Sequence, residues 1–162
     1  VQLLGSGAIL REVLAASEML AEEFGVASDV WSVTSFTELK RDGDAVQRHN
    51  MLHPRAERQT SYVEDCLSPR KGPVVASTDY VRAFAEQIRA LVSHRYTVLG
   101  TDGFGRSDTR TSLRRFFEID RQHVVVAALW SLAEEGAIDH ARVGEALAKY
   151  GIDPQKPAPW TS

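Results

Sequence analysis

The chain has 162 residues, 43% of them apolar and 25% charged, with 19 basic against 22 acidic side chains and a formal net charge of −3. That composition suits one folded domain, excludes disorder as the default state, and supplies no overall positive field to recruit nucleic acid or an anionic membrane. One cysteine, Cys66, excludes an internal disulfide and fits a reducing, cytoplasmic compartment, and no apolar run approaches the roughly 20 residues of a membrane span.

Val1 to Leu4 reads as a short strand ended by Gly5-Ser6-Gly7. With no initiator Met and no leader-like segment ahead of that strand, the chain is expected to be a piece of a longer polypeptide. From Ala8 to Phe24, the residues Ile9, Val13, Ala16, Leu20 and Phe24 recur at helical spacing, and Gly25 closes the helix. Val26 to Val33 is a second strand. Ser35-Phe36-Thr37-Glu38 and Ser61-Tyr62-Val63-Glu64 both have capping-box spacing. The first opens a helix toward Leu52 that Pro54 ends, and the second a short helix reaching about Leu67. Val74 to Ser77 is a compact third strand. Asp79 is expected to cap a helix from Tyr80 to about Val92, with Phe84, Ile88 and Leu91 on one side. Tyr96 to Leu99 is a fourth strand.

A short helix is expected near Thr111 to Phe117, then a longer one from Arg121 to Glu135 capped by Asp120. The middle of the longer one, Val124 to Ala128, is apolar nearly all round and fits either a buried helix or a fifth strand. Leu129, Leu132 and Ala133 continue the helical spacing and Gly136 stops it, which favours the helix. Asp139 caps a last helix ending at Tyr150-Gly151, and residues 152 to 162, with three prolines, form an extended tail. Strands alternating with amphipathic helices predict a layered α/β domain over residues 1–151, followed by the tail at 152–162.

In such a sheet the functional loops lie beyond the carboxyl ends of the strands. Gly5-Ser6-Gly7 invites a dinucleotide reading, but Leu10 stands where a third glycine belongs, and Thr34-Ser35 where the acid belongs. A tight turn explains those glycines more simply, with a small anion at the helix N-terminus as the other possibility. His49 and His53 are four apart yet no further ligand completes a zinc set, and Pro54 is expected to unwind the turn carrying the second. His94, His123 and His140 are isolated in sequence and read as surface or structural histidines. Cys66 reads as a buried, inert thiol.

Gly100 to Arg110 is the most informative stretch. Three glycines in six positions imply a backbone that turns sharply or lies close to another surface. Phe104, set between two of them, must tuck into the core or plug a partner. Asp102 and Asp108 are placed to accept backbone N–H bonds in the loop or to pair with Arg106 and Arg110. The candidate interface or cleft-facing loop is therefore Asp102, Gly103, Phe104, Gly105, Arg106, Ser107, Asp108 and Arg110. A solvated helix start with weak local ion pairs is the plainer alternative.

The run Gly100-Thr101-Asp102-Gly103-Phe104-Gly105-Arg106-Ser107-Asp108-Thr109-Arg110 resembles the late motif of the homodimeric bacterial pyruvate dehydrogenases, the thiamine-diphosphate-dependent decarboxylating components. More loosely it is similar to a segment near the end of transketolases. Leu4 to Glu12, Asp29 to Leu39, Thr78-Asp79-Tyr80 with Ala85 to Arg89, and Tyr150 to Pro154 carry the same likeness, so it spans nearly the whole chain. It implies a three-layer, transketolase C-terminal-domain-like fold, with a mostly parallel sheet of about five strands and helices on both faces. It also implies a parent enzyme that decarboxylates pyruvate on thiamine diphosphate and Mg²⁺ and passes the acetyl group to the lipoyl group of dihydrolipoyl acetyltransferase.

On that resemblance the cofactor, metal and catalytic histidines come from preceding domains. No catalytic, cofactor-binding or metal-binding residue carries over onto these positions, and the fragment alone is expected to be inactive. The expected partners are the preceding domains of the same chain, a second subunit of a homodimer and the acetyltransferase. A small-anion-binding regulatory module and a freestanding oligomerisation domain are the rival readings.

Overall fold

A computed structural model describes residues 1–161. Four apolar runs form one parallel sheet: β1 (Gln2–Ser6), β2 (Asp29–Val33), β3 (Val74–Ser77) and β4 (Tyr96–Leu99), in the order β2-β1-β3-β4. The helices are α1 (Leu10–Phe24), α2 (Phe36–Leu52), α3 (Tyr62–Leu67), α4 (Arg82–Glu86), α5 (Arg110–Phe116), α6 (Arg121–Glu134) and α7 (Ala141–Lys149).

Parallel sheets are buried on both faces, and β1 and β3 are buried along their whole length. Strand alternation then sorts the core into two halves. Leu3 and Val75, paired in register, face Val13, Leu20, Val124 and Ala128 of α1 and α6, with Ala146 of α7 in the same cluster. Leu4, Val74, Ala76, Tyr96 and Val98 point the other way, onto Phe36, Val63, Leu67 and Ile88. The result is the expected three-layer α/β arrangement.

The described residues contain four strands rather than about five. Val124 to Ala128 lies in α6, with Val124, Val125, Ala127 and Ala128 all buried. It is apolar nearly all round because α6 packs on α1, on the sheet and on α7. Asp120 caps it, its Oδ1 accepting from the His123 N–H at 2.9 Å. Both serine caps form, but only Ser61 completes the box; beside Ser35, the Glu38 carboxylate turns to Arg41 instead.

The helix expected from Tyr80 to Val92 is broken: α4 is short, and a separate 3₁₀ turn covers Arg89–Leu91. Val81, not Asp79, occupies the N-cap position. The entry to α4 is drawn against the exit of β4, where the Thr101 N–H donates to the Tyr80 carbonyl at 2.9 Å. There a Cβ on Gly100 would lie 2.8 Å from both the Tyr80 carbonyl and the Arg82 nitrogen. The tail is not wholly extended either, since Pro159–Thr161 forms a 3₁₀ turn.

One buried charge ties the helices of the first face together. Glu12, in the first turn of α1, has a side chain only 7% exposed. It accepts from Arg114 Nη1 at 2.7 Å, from Arg121 Nε at 2.9 Å and from the Arg121 backbone N–H at 3.2 Å. The Arg121 hydrogen bond, with the two positive charges, outweighs desolvation and holds the carboxyl below its usual range. A carboxylate with a depressed folded-state pKa stabilises the fold above its unfolded value, and that stabilisation is lost as pH falls through the folded value. Glu12→Gln should therefore cost about 1–3 kcal/mol at neutral pH. The deficit against wild type should shrink as pH falls below the ordinary carboxylate range, read by urea titrations at both pH values.

Gly43, buried within α2, lies against Leu91, whose side chain would overlap a Cβ placed there. Gly43→Ala should destabilise by about 1–3 kcal/mol through overpacking, outweighing the helix-propensity gain of about 1 kcal/mol. The same denaturation measurement checks the sign.

Candidate functional site at the carboxyl edge of the sheet

The strand order makes β1 the point where the chain reverses direction across the sheet. Ligand crevices in open α/β sheets form beyond the carboxyl ends at such a point, here between β1 and β3. The first residues beyond these strands are small and polar. Ser6 Oγ donates to Thr78 Oγ1 at 2.8 Å in a buried contact, and Thr78 Oγ1 also accepts from the Tyr80 N–H at 3.2 Å. Ser6, Gly7, Thr34, Ser35, Tyr80 and Phe84 line a cleft of about 360 Å³ at this edge.

Gly7 adopts φ +56°, and a Cβ there would sit 3.1 Å from Asp79 Oδ1. That carboxylate beside the turn leaves it poorly suited to an anion. Among the described residues lining the cleft none is basic, so this donor set does not fit the diphosphate of thiamine diphosphate.

Next to the cleft lies the glycine-rich loop. Asp102 accepts from the Arg82 backbone N–H at 2.8 Å and from Arg82 Nε at 2.6 Å. Partial burial opposes its charge, but the Arg82 hydrogen bonds prevail and keep the carboxyl below its usual range. Its partner is thus on α4, neither within the loop nor Arg106 or Arg110. Gly103, at φ +117°, passes so close to the tail that a Cβ would lie 2.6 Å from the Pro159 carbonyl. Gly105 has open space around it, so the close approach inferred from the glycines holds at Gly100 and Gly103 only.

Phe104 is 80% exposed and does not enter the core. The Arg106 guanidinium sits 4.0 Å over the Phe116 ring. Asp108 accepts the Thr109 N–H at 2.6 Å, and Thr109 in turn caps α5, which Arg110 begins. Ser107 and Arg110 are exposed. Arg114 and Arg115 leave this region, the first for Glu12 and the second for the carbonyls of Tyr150 and Gly151.

Beside the loop the structure adds residues that the sequence analysis did not assign to the site. Tyr80 and Phe84, 61% and 43% exposed, pack ring to ring at 5.5 Å, and Val81 and Trp160 are also exposed. The expected regular helix puts Phe84 on one side with Ile88 and Leu91. The break in that helix leaves it at the surface, with Ala85 and Ile88 buried instead. The i, i+4 spacing of Tyr80 and Phe84 was the available signal.

The remaining candidates fall elsewhere. His49 and His53 stack at 4.3 Å, and His53 Nδ1 lies 2.9 Å from the His49 carbonyl. His123 Nδ1 lies 2.6 Å from Asp120, and His140 Nε2 lies 3.1 Å from Glu134. Cys66 is only half-buried, beside Trp31 and Tyr62 on an apolar cavity of about 180 Å³, so the expectation of a fully buried thiol does not hold.

Residues 1–120 match the family model described as the transketolase-like TK C-terminal domain. Over 160 residues the chain is 61% identical to the pyruvate dehydrogenase E1 component of Pseudomonas aeruginosa and 55% identical to that of Escherichia coli K12. Over 159 residues it is 60% identical to that of Cupriavidus necator. In each case the match covers 98% of this chain and 18% of the relative, so the chain spans less than a fifth of their length. Among solved structures, one titled "Split gene transketolase, inactive beta4 tetramer" superposes with a TM-score of 0.53 at 19% identity, over 82% of this chain and 39% of that one, a likeness of fold. Sequence and fold thus converge: the chain belongs to the transketolase-like C-terminal domain family, and its relatives are bacterial pyruvate dehydrogenase E1 components.

Proposed function

We propose that this chain is the non-catalytic C-terminal domain of a pyruvate dehydrogenase decarboxylating component, serving to complete a homodimer and to support the walls of the cofactor cleft. In this reading the preceding domains hold thiamine diphosphate and Mg²⁺. The parent carries out oxidative decarboxylation of pyruvate and hands the acetyl group to the lipoyl group of dihydrolipoyl acetyltransferase, in the cytoplasm. Identity of 55–61% to E1 components supports the parentage. No helix among the described residues is long and apolar enough to cross a membrane.

The observation that carries the scaffold role is Phe104: an aromatic side chain 80% exposed on a loop whose base is held by Asp102 and Arg82, with Tyr80 and Phe84 exposed nearby. Aromatic and arginine side chains are the usual anchors of protein interfaces. A wall of this kind matters because misplacing reacting groups by ~1 Å can cost ~100-fold in rate. The rival anion-binding module has less support, since Asp79 sits at the Gly7 turn. A freestanding oligomerisation domain fits poorly with relatives of which this length is 18%.

In the full-length enzyme, Phe104→Ala combined with Arg106→Glu should weaken dimerisation about tenfold or more. Turnover at fixed protein concentration should fall with it. Sedimentation equilibrium and pyruvate decarboxylation read the two effects, and wild-type values for both would remove the reading. The 162-residue chain alone, given thiamine diphosphate and Mg²⁺, should release no CO₂ from pyruvate.

A further inference from the structure

The candidate loop has little of its own to hold its shape. Among the described residues from Gly103 to Asp108, Asp108 accepts from the Thr109 N–H, and Gly105 faces open space. Its outer support comes from the C-terminal tail, which is anchored at three successive places. At the tail's root, Arg115 Nη2 donates to the Tyr150 and Gly151 carbonyls at 2.8 and 3.0 Å. Midway, Lys156 Nζ donates to the Phe116 carbonyl at 2.8 Å and lies 5.1 Å from the Phe116 ring centroid, the same ring that Arg106 covers at 4.0 Å. At the end, the Trp160 indole lies 4.2 Å from the Arg82 guanidinium, and Arg82 is itself clamped on Asp102. Between these last two anchors the Pro159 backbone fills the space beside Gly103 that a Cβ would need.

We propose that residues 153–161 are a strap that sets the conformation of the 102–108 loop, with Gly103 and Trp160 as its positioning residues. Arg82 links the two segments: one guanidinium donates to Asp102 and lies over the Trp160 ring, so loop and tail are ordered together. Phe116 gives a second link, because its ring lies under Arg106 of the loop and Lys156 of the tail. Releasing the tail therefore loosens the loop that carries Phe104. The inference goes beyond the interface reading and does not require the loop to be an interface.

The test uses the full polypeptide at concentrations below those where it dimerises, so that no partner covers the loop, with Arg106 in the loop and Arg48 in α2, both exposed in this domain, reporting on the loop and on the rest of the domain. Trp160→Ala should raise amide exchange over 103–108 and tryptic cleavage after Arg106 by about three- to fivefold, the scale of one partly exposed cation–π contact. Cleavage after Arg48 should be unchanged. Gly103→Ala should give the same local signature by pushing the Pro159 backbone away, and Trp160→Phe should restore part of the protection. Wild-type exchange and cleavage in both Trp160→Ala and Gly103→Ala would overturn the strap. So would a rise shared equally by Arg48, which marks general loosening.

Discussion

A carboxylate taken out of water must find its compensation inside the protein, and in this domain Glu12 finds it in two arginines from other helices. Arg114 and Arg121 come from α5 and α6, more than 100 residues further along the chain. Their guanidinium forks converge on one carboxylate at the start of α1, so three helices share a single electrostatic anchor. The consequence reaches the surface. Because Arg114 is tied down, α5 has a fixed place, and the glycine-rich loop that enters α5 must span from the end of β4 to that place. The polypeptide between the two fixed ends carries the exposed phenylalanine.

The carboxyl edge of the sheet is a separate surface. Asp79 sits beside the Gly7 turn, where its carboxylate opposes an anionic ligand. What remains at the strand reversal is a cleft of small hydroxyls and exposed aromatic rings. Among the described residues that surface offers hydroxyl groups and exposed aromatic area.

The tail adds a second level of order. Three prolines restrict its backbone, and it reaches from the Phe116 carbonyl at the end of α5 to Arg82 at the start of α4. Arg82 and Phe116 each meet one group from the loop and one from the tail. Loop shape is thereby made dependent on the last residues of the chain.

Much of this was legible in residue order. The serine caps at Ser35 and Ser61, the glycine stop at Gly25 and the apolar runs at β3 and β4 are local signals, decided by backbone hydrogen bonding and strand alternation within a few residues. The whole-chain likeness to pyruvate dehydrogenases was carried by contiguous motifs and was equally readable. Other features depended on partners distant in sequence. Val124 to Ala128 is compatible with strand or helix by its own pattern, and burial between α1, the sheet and α7 made it a helix. The segment after Asp79 has the spacing of a long helix, but its contact with Gly100 and Thr101 shortened it and turned Phe84 outward. Glu12 looks like any first-turn acid until α5 and α6 fold over it. Sequence thus determined which segments are strands and helices wherever the cause is local. Tertiary structure decided which charges are buried, where helices break and which aromatic rings reach the surface, because each of those depends on atoms brought together only by packing.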